Sequence, residues 1–208
     1  MAYTIAITNQ KGGVGKTTTC INLAGALLEA GYKVSVADMN NEQRSAYKWA
    51  NRGDDLKSIV TTISDKKPRA ELDKLKEQSN FVIIDTAPEL MTPALKAALI
   101  SDLIIIPCTP SPLDLESAED TIDLIEEADK PFILLASCVR TGTTLGTQLR
   151  ETLKKIGDTF ETVIHQRVDI VEAAITGQWV GAYRKDSKAH EEYNQLAKEL
   201  INKIEVVK

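Results

Sequence analysis

Short apolar runs alternate along the chain with longer segments in which apolar residues recur every three or four positions. The apolar runs predict strands, several of them short, at 3–8, 33–37, 56–63, 81–84, 102–106, 132–137 and 162–165. The amphipathic segments predict helices at 16–30, 42–51, 70–78, 90–100, 113–128, 145–156, 169–176 and 190–203. Apolar strands that alternate with helices indicate an α/β fold, in which a mostly parallel twisted sheet carries helices on both faces.

Length and composition are those of an ordinary globular protein. The chain has 208 residues, 43% of them hydrophobic and 26% charged, which favours a single domain over 1–208. No apolar run approaches the roughly 18 residues of a membrane helix, and the N-terminus resembles a strand, so we expect a cytoplasmic protein. A net charge of −5 argues against a broadly basic surface, so any binding of nucleic acid requires a local patch.

The three cysteines give no sign of a disulfide or a metal centre. Cys20, Cys108 and Cys138 are odd in number, far apart and set among apolar residues. We therefore predict buried thiols.

A glycine-rich stretch, K-G-G-V-G-K-T-T at 11–18, lies between the first predicted strand and the first predicted helix. This order is the one that a phosphate-binding loop requires, because glycines let backbone N–H groups and a helix N-terminus face a polyphosphate. Lys16 would contact the outer phosphates and the Thr17 hydroxyl would bind magnesium. The predicted ligands are ATP and Mg²⁺, and the residues expected to hold the nucleotide here are Lys11, Gly12, Gly13, Val14, Gly15, Lys16, Thr17 and Thr18.

Two carboxylates and a proline-rich segment follow other predicted strands. Asp85 ends the apolar run 81–84, which has the form of a Walker B strand, and Asp38 ends the second strand. Pro107 opens the segment 107–112, a stiff loop that suits the wall of a nucleotide site or a dimer contact. Because ligands gather beyond the carboxyl ends of parallel strands, we expect Thr17, Asp38 and Asp85 to bind magnesium together.

The glycine-rich loop departs from the common phosphate-loop pattern in an informative way. The first glycine of that pattern is replaced by Gln10, and Lys11 is an additional lysine. The stretch resembles the deviant Walker A box, K-G-G-x-G-K-T, of the ParA/MinD family of ATPases. The resemblance continues through nearly the whole chain, at 83–88, 106–112, 140–141, 172–177 and 182–187. It is strongest to the short, ParF-like ParA-type ATPases, which lack the N-terminal DNA-binding domain of long ParA proteins.

The resemblance implies an ATPase that positions a cargo, which could be a plasmid, a protein cluster or a carboxysome. ATP would produce a homodimer in which Lys11 reaches the partner's nucleotide, and the dimer would bind nucleoid DNA without sequence preference. A cargo adaptor, ParB-like or equivalent, would stimulate hydrolysis and release the dimer. The resemblance gives catalytic roles to Lys11, Lys16, Asp38 and Asn40. It also implies that Pro107, Gln166 and Arg167 contact the nucleotide, and that DNA is bound by Arg140, Arg167, Arg184, Lys185 and Lys188.

One departure from the family falls at the second strand. The family pattern D-x-D-P-Q is here D-M-N-N-E-Q at 38–43, so that Asn40 replaces the second aspartate. An amide is a weaker magnesium ligand and is not a base. We expect slower hydrolysis than in relatives, or a role shared between Asp38 and Glu42.

Two other functions fit the same fold. A MinD-like ATPase that cycles on membranes needs an amphipathic, basic C-terminal helix, whereas residues 201–208 are few and mixed in charge. A metabolic ligase would have no evident use for Lys11, and an electron-transfer protein would need paired cysteines for an iron–sulfur cluster. The positioning ATPase, with no membrane partner, is the favoured hypothesis.

Overall fold

The computed structural model describes residues 2–64, 68–87 and 93–207, and its described strands form a single parallel sheet. The strands are β1 (Tyr3–Ile7), β2 (Val34–Asp38), β3 (Val60–Thr62), β4 (Phe81–Asp85), β5 (Leu103–Cys108) and β6 (Phe132–Ala136). Their order across the sheet is β3-β2-β4-β1-β5-β6. Strand β1 therefore lies between β4 and β5, and its carboxyl end, where the glycine-rich loop begins, lies near the middle of the sheet.

Helices cover both faces of this sheet, as predicted. They are α1 (Lys16–Glu29), α2 (Ser45–Ala50), α3 (Pro68–Gln78), α4 (Pro93–Ile100), α5 (Pro112–Glu127), α6 (Thr144–Ile156), α7 (Val168–Thr176), α8 (Val180–Tyr183) and α9 (Lys188–Val207). One apolar core packs α1, α2, α7, α8 and α9 against the sheet. The other core packs α3, α4, α5 and α6 against the opposite face. Within the described residues, no helix combines the length and the hydrophobicity that crossing a bilayer requires.

The continuous apolar runs of the strands follow from this double cover. Ile5 and Ile7 of β1 belong to the first core, whereas Ala6 between them belongs to the second. Because successive side chains of a strand point to opposite faces, both sets of side chains are buried in a strand that is covered on both sides, and most of them are apolar. The predicted fold class is confirmed.

Some predicted boundaries are wrong. Residues 162–165 form no strand; His165 makes only an isolated bridge to Val139. The Thr162 N–H is donated to the Glu199 carboxylate at 3.0 Å and is therefore not available to a ladder. Strand β5 continues through Pro107. The predicted helix start at 90 lies outside the described residues, as does residue 88 of the segment 83–88 that carries part of the family resemblance.

Candidate active site

The glycine-rich loop joins β1 to α1 with the backbone that its glycines allow. Gly13 and Gly15 have φ of +82° and +96°, in the left-handed region that residues with a side chain rarely adopt. The Ser137 hydroxyl, just after β6, donates to the Val14 carbonyl at 2.7 Å and anchors the loop. Gly15 precedes α1 and no side chain caps the helix, so its first N–H groups remain available to an anion.

A cavity of about 260 Å³ lies over this loop. It is lined by Gly12, Gly13, Gly15, Lys16, Thr17, Thr18, Asn40, Gln43, Ser45, Thr86 and Cys138. The lining joins the start of α1 to the segments that follow β2, β4 and β6. The structure thus brings most of the predicted phosphate-binding residues together with Asn40 at the carboxyl edge of the sheet.

Lys16 is buried beside the cavity and has no carboxylate as a hydrogen-bond partner among the described residues. Its Nζ donates to the carbonyl oxygen of Lys11 at 2.7 Å. Burial lowers the pKa of the Lys16 ammonium to about 8, an effect that the negative charge of Asp85 only partly offsets. A buried ammonium whose hydrogen-bond partner is a neutral carbonyl is favourable for binding a phosphate oxygen.

Thr17, Asp38 and Asp85 supply the oxygen atoms that suit magnesium. The Thr17 hydroxyl donates to Asp85 Oδ2 at 2.8 Å. Burial, and secondarily the charge of Asp38, raise the pKa of Asp85 to about 7, and burial raises the pKa of Asp38. A hydroxyl with two neighbouring buried carboxylates is an oxygen donor set for a hard cation, and such a cation would relieve both carboxylates. These residues fit a Mg²⁺ ion.

The segment after β2 is folded around its own aspartate and asparagine. Asp38 accepts the N–H groups of Asn40 at 2.9 Å and Tyr47 at 3.0 Å. Asn40 Oδ1 in turn accepts the Gln43 N–H at 3.0 Å. Asn40 and Gln43 both line the cavity, whereas Glu42 is exposed and is not part of the lining. The carboxylate expected to share the role of Asp38 therefore lies outside the cavity.

Comparison with known proteins places this site in a family. The family profile of the CobQ/CobB/MinD/ParA nucleotide binding domain matches residues 5–207. The chain belongs to this family. The resemblance to ParA/MinD ATPases is thereby confirmed, and with it membership of a family of nucleotide-binding ATPases.

Individual relatives of this ParA/MinD-type chain match it over nearly all of its length. A "Maintenance of carboxysome distribution protein A" from Gloeobacter kilaueensis is 32% identical, covering 94% of this chain and 93% of that protein. The "Sporulation initiation inhibitor protein Soj" of Bacillus subtilis is 26% identical, covering 96% and 98%. MinD of Pyrococcus horikoshii, solved with Mg-ADP, has a TM-score of 0.79 at 22% identity, covering 99% and 98%. That structure shares the fold of this ParA/MinD-type chain.

Several residues of the ParA/MinD site were not predicted from the sequence. Gln43, Ser45, Thr86 and Cys138 line the cavity. The prediction that Cys138 is buried is wrong: the residue is only partly buried, and its backbone adopts a left-handed φ of +52°. Nothing in the sequence around this cysteine indicates that conformation. Cys20 and Cys108 are buried as predicted.

Other predicted nucleotide contacts lie outside the cavity lining. The carbonyl of Pro107 accepts the Asn9 amide at 2.9 Å. The Gln166 side chain accepts from Arg140 Nε at 3.3 Å. Arg167 is paired with Glu192, with its Nη2 atom 2.5 Å from Oε1 of the carboxylate. Contact of these residues with a nucleotide stays a prediction.

The predicted DNA-binding residues differ in whether they make ion pairs within the protein. Arg184 pairs with Asp169 and lies 3.6 Å from Glu172. Lys185 and Lys188 are exposed, and neither makes an ion pair with a residue that the structure describes. With Arg167 also paired, Arg140, Lys185 and Lys188 are the candidates that make no ion pair with a described residue.

A larger groove, of about 480 Å³, lies at the opposite edge of the sheet, between the starts of β5 and β6 and helix α9. Its lining includes Leu103, Phe132 and Ile204, and its lysine, Lys203, lies 2.8 Å from Asp158. This groove is far from the glycine-rich loop and offers no unpaired lysine for a phosphate.

Proposed function

We propose that this ParA/MinD-type ATPase hydrolyses ATP to position a cargo, by ATP-dependent dimerisation and nonspecific binding of nucleoid DNA. A ParB-like or equivalent adaptor on the cargo would stimulate hydrolysis and release the dimer. The whole of residues 1–208 would act as a single ATPase domain in the cytoplasm. Two relatives named for carboxysome distribution, 32% and 29% identical to this chain, support a positioning role.

The cavity over the loop supports the nucleotide part of this proposal. The free N–H groups of α1 and the Lys16 ammonium would hold the phosphates, and Thr17, Asp38 and Asp85 would hold Mg²⁺. Bound magnesium would neutralise charge that develops on the phosphates during transfer to water. Asn40 and Gln43, whose side chains line the cavity, would position that water.

The position of Lys11 is the observation that carries the proposal. Lys11 lies in the same loop as Lys16, but its side chain is 45% exposed and does not line the cavity of its own chain. A second lysine in a phosphate loop that does not face its own phosphate site is suited to a nucleotide held by another copy. This supports a homodimer that forms through the nucleotide edge.

An exposed apolar face on α7 gives further support to dimerisation. Val168, Val171 and Ile175 follow a helical spacing and are 70%, 59% and 68% exposed. This face is connected to the cavity through α2. The end of α7 packs against the backbone of Gly53, just beyond α2, and Ser45, the first residue of α2, lines the cavity. Clustered aliphatic residues on a surface mark contact sites between proteins.

The C-terminal helix argues against the alternative, a MinD-like membrane cycle. Leu196, Leu200 and Ile204 of α9 are buried in the first core, against α1 and the sheet. The apolar face that a membrane-binding helix needs is therefore already covered through Ile204.

Fluorescence anisotropy of a labelled nonspecific duplex tests the proposal. The protein would be titrated with ATP, with ADP and without nucleotide, each at two salt concentrations. We expect tight binding with ATP alone, weakening steeply with salt because phosphate contacts release counterions. Lys11→Ala should abolish the ATP effect, and the matched control Lys33→Ala, which removes an exposed lysine just before β2, should not.

Absence of DNA binding in every nucleotide state would contradict the proposal, as would binding that does not depend on nucleotide. Sedimentation with anionic liposomes under the same conditions would then test the membrane alternative. ATP-dependent sedimentation without DNA binding would favour the MinD-like cycle.

A further inference from the structure

Lys11, in the glycine-rich loop, forms an ion pair with a carboxylate of helix α5. Its Nζ lies 3.9 Å from Asp114 Oδ1, in the first turn of α5. The other carboxylate oxygen, Oδ2, accepts the hydroxyl of Thr109. The Asp114 side chain is 14% exposed and that of Lys11 45%, so the aspartate is the more buried member of the pair.

The backbone of the loop start is anchored to α5 by other contacts. Asn9 Oδ1 accepts the Lys11 N–H at 2.9 Å and the Ser117 hydroxyl at 3.4 Å. The Gln10 N–H is donated to the Thr121 hydroxyl at 3.3 Å. These contacts fix the main chain at Lys11 without Asp114. The aspartate therefore acts on the lysine's ammonium and not on the course of the loop.

We infer that Asp114 positions the Lys11 ammonium in the nucleotide-free chain and thereby sets the concentration at which ATP-bound copies dimerise. The inference rests on the proposed function, in which Lys11 reaches the nucleotide of a second copy. To do so, Lys11 must leave Asp114. Because both copies of a symmetric dimer contribute the lysine, the pair has to be broken twice for each dimer formed.

The size of the effect follows from the geometry of the pair. Partly exposed ion pairs shift equilibria by about two- to fivefold. Breaking one pair in each copy would multiply these factors, to about four- to twenty-fivefold in the dimer dissociation constant. The bond from Thr109 holds the carboxylate in place, so the aspartate loses little freedom when the lysine binds.

Asp114→Asn tests the inference, because an amide keeps the shape and the acceptor for Thr109 but removes the charge. Sedimentation velocity would measure dimerisation with a non-hydrolysable ATP analogue and Mg²⁺. We expect the dimer dissociation constant to fall by about four- to twenty-fivefold. Asp123→Asn, at an exposed position of the same helix, is the matched control and should leave it unchanged.

A double-mutant cycle separates positioning from a general structural effect. In a Lys11→Ala background, which should not dimerise, Asp114→Asn should neither restore the dimer nor change affinity for the analogue. Dimer restored by Asp114→Asn in the absence of Lys11, or an unchanged dimer constant in Asp114→Asn alone, would overturn the inference. If Asp114→Asn does not fold, Thr109→Val, which frees the carboxylate, should shift the constant in the same direction and by a smaller factor.

Failure of the proposed function and failure of this inference give different results. A wild-type chain that stays monomeric with the analogue contradicts both the proposed function and this inference. A wild-type chain that dimerises, with variants that do not differ from it, contradicts the role of Asp114 alone.

Discussion

Replacing Asp85 by asparagine should make the nucleotide-free protein more stable. Asp85 is fully buried, and its pKa rises from 3.8 to about 7 because burial and Asp38 disfavour its charge. The folded chain therefore binds more protons than the unfolded chain between those pH values, and stability falls as pH rises. Above pH 7 the rise corresponds to about 4 kcal/mol, of which roughly 3 kcal/mol should be lost between pH 5 and pH 8.

The assay is urea unfolding of the wild type and Asp85→Asn at pH 5, 6, 7 and 8, without Mg²⁺ or nucleotide. Asparagine carries no charge and keeps an acceptor for the Thr17 hydroxyl. The free energy of unfolding of the variant, relative to wild type, should therefore grow by about 3 kcal/mol from pH 5 to pH 8. Asp120→Asn, at an exposed carboxylate of α5, is the control and should follow the wild type at each pH.

Two results would refute this reasoning. A difference between Asp85→Asn and wild type that is constant from pH 5 to pH 8 would mean that Asp85 does not titrate in this range. Equal stabilisation of both proteins by Mg²⁺ at pH 8 would mean that the carboxylate does not bind the ion.

Three further substitutions test separate parts of the molecule. Asn40→Asp keeps the acceptor for the Gln43 N–H and adds a carboxylate to the cavity, so phosphate release should accelerate severalfold. An unchanged rate would contradict the hypothesis that Asn40 slows hydrolysis. Gly25→Ala would place Cβ 2.2 Å from the Trp179 ring and should lower the free energy of unfolding by about 1–3 kcal/mol in urea, and unaltered unfolding would contradict the tight packing. Ile175→Asp, at a 68% exposed position, should weaken ATP-dependent dimerisation in sedimentation without changing monomer stability, unless α7 lies outside the interface.

The sequence predicts this fold well because its signals are local. Strands such as β4, buried on both faces, appear as unbroken apolar runs, and α1 shows its period and its stop at Gly31. The order of strands across the sheet is not local. Nothing within 81–85 indicates that β4 pairs with both β1 and β2, since pairing is decided by packing of the whole chain. The short segment 162–165 shows the same limit, because a carboxylate from α9 takes one of its N–H groups.

The residues of the site also differ in whether the sequence around them carries a local signal. Lys16, Thr17 and Asp85 are recognisable because each stands at a fixed place relative to a strand end, and the structure brings them together. Asp114 has no such signal: it is one acid among many in α5, and only the fold brings it near Lys11. Cys138 depends on a left-handed backbone conformation that no neighbouring residue specifies.

In the nucleotide-free protein, burial disfavours the charged forms of Lys16 and Asp85, and bound Mg-nucleotide would favour both. Burial lowers the pKa of Lys16 to about 8 and raises that of Asp85 to about 7, so each resists the charge it needs for binding. At pH 7 about half of Asp85 and about nine-tenths of Lys16 carry a proton. Binding of preformed Mg·ADP should ionise Asp85 and fully protonate Lys16. Its net effect is the release of about 0.4 proton.

Calorimetric titration with Mg·ADP at pH 7, in two buffers of different ionisation enthalpy, measures this number directly. Asp85→Asn should convert the release into an uptake of more than about 0.1 proton by Lys16, because loss of the Asp85 charge lowers the pKa of Lys16 further. Identical heats in both buffers for the wild type would mean that the two groups already carry their binding charges in the nucleotide-free protein. Other groups of the protein would then compensate the cost of burying these charges. In that case Asp85→Asn should not be more stable than wild type at high pH.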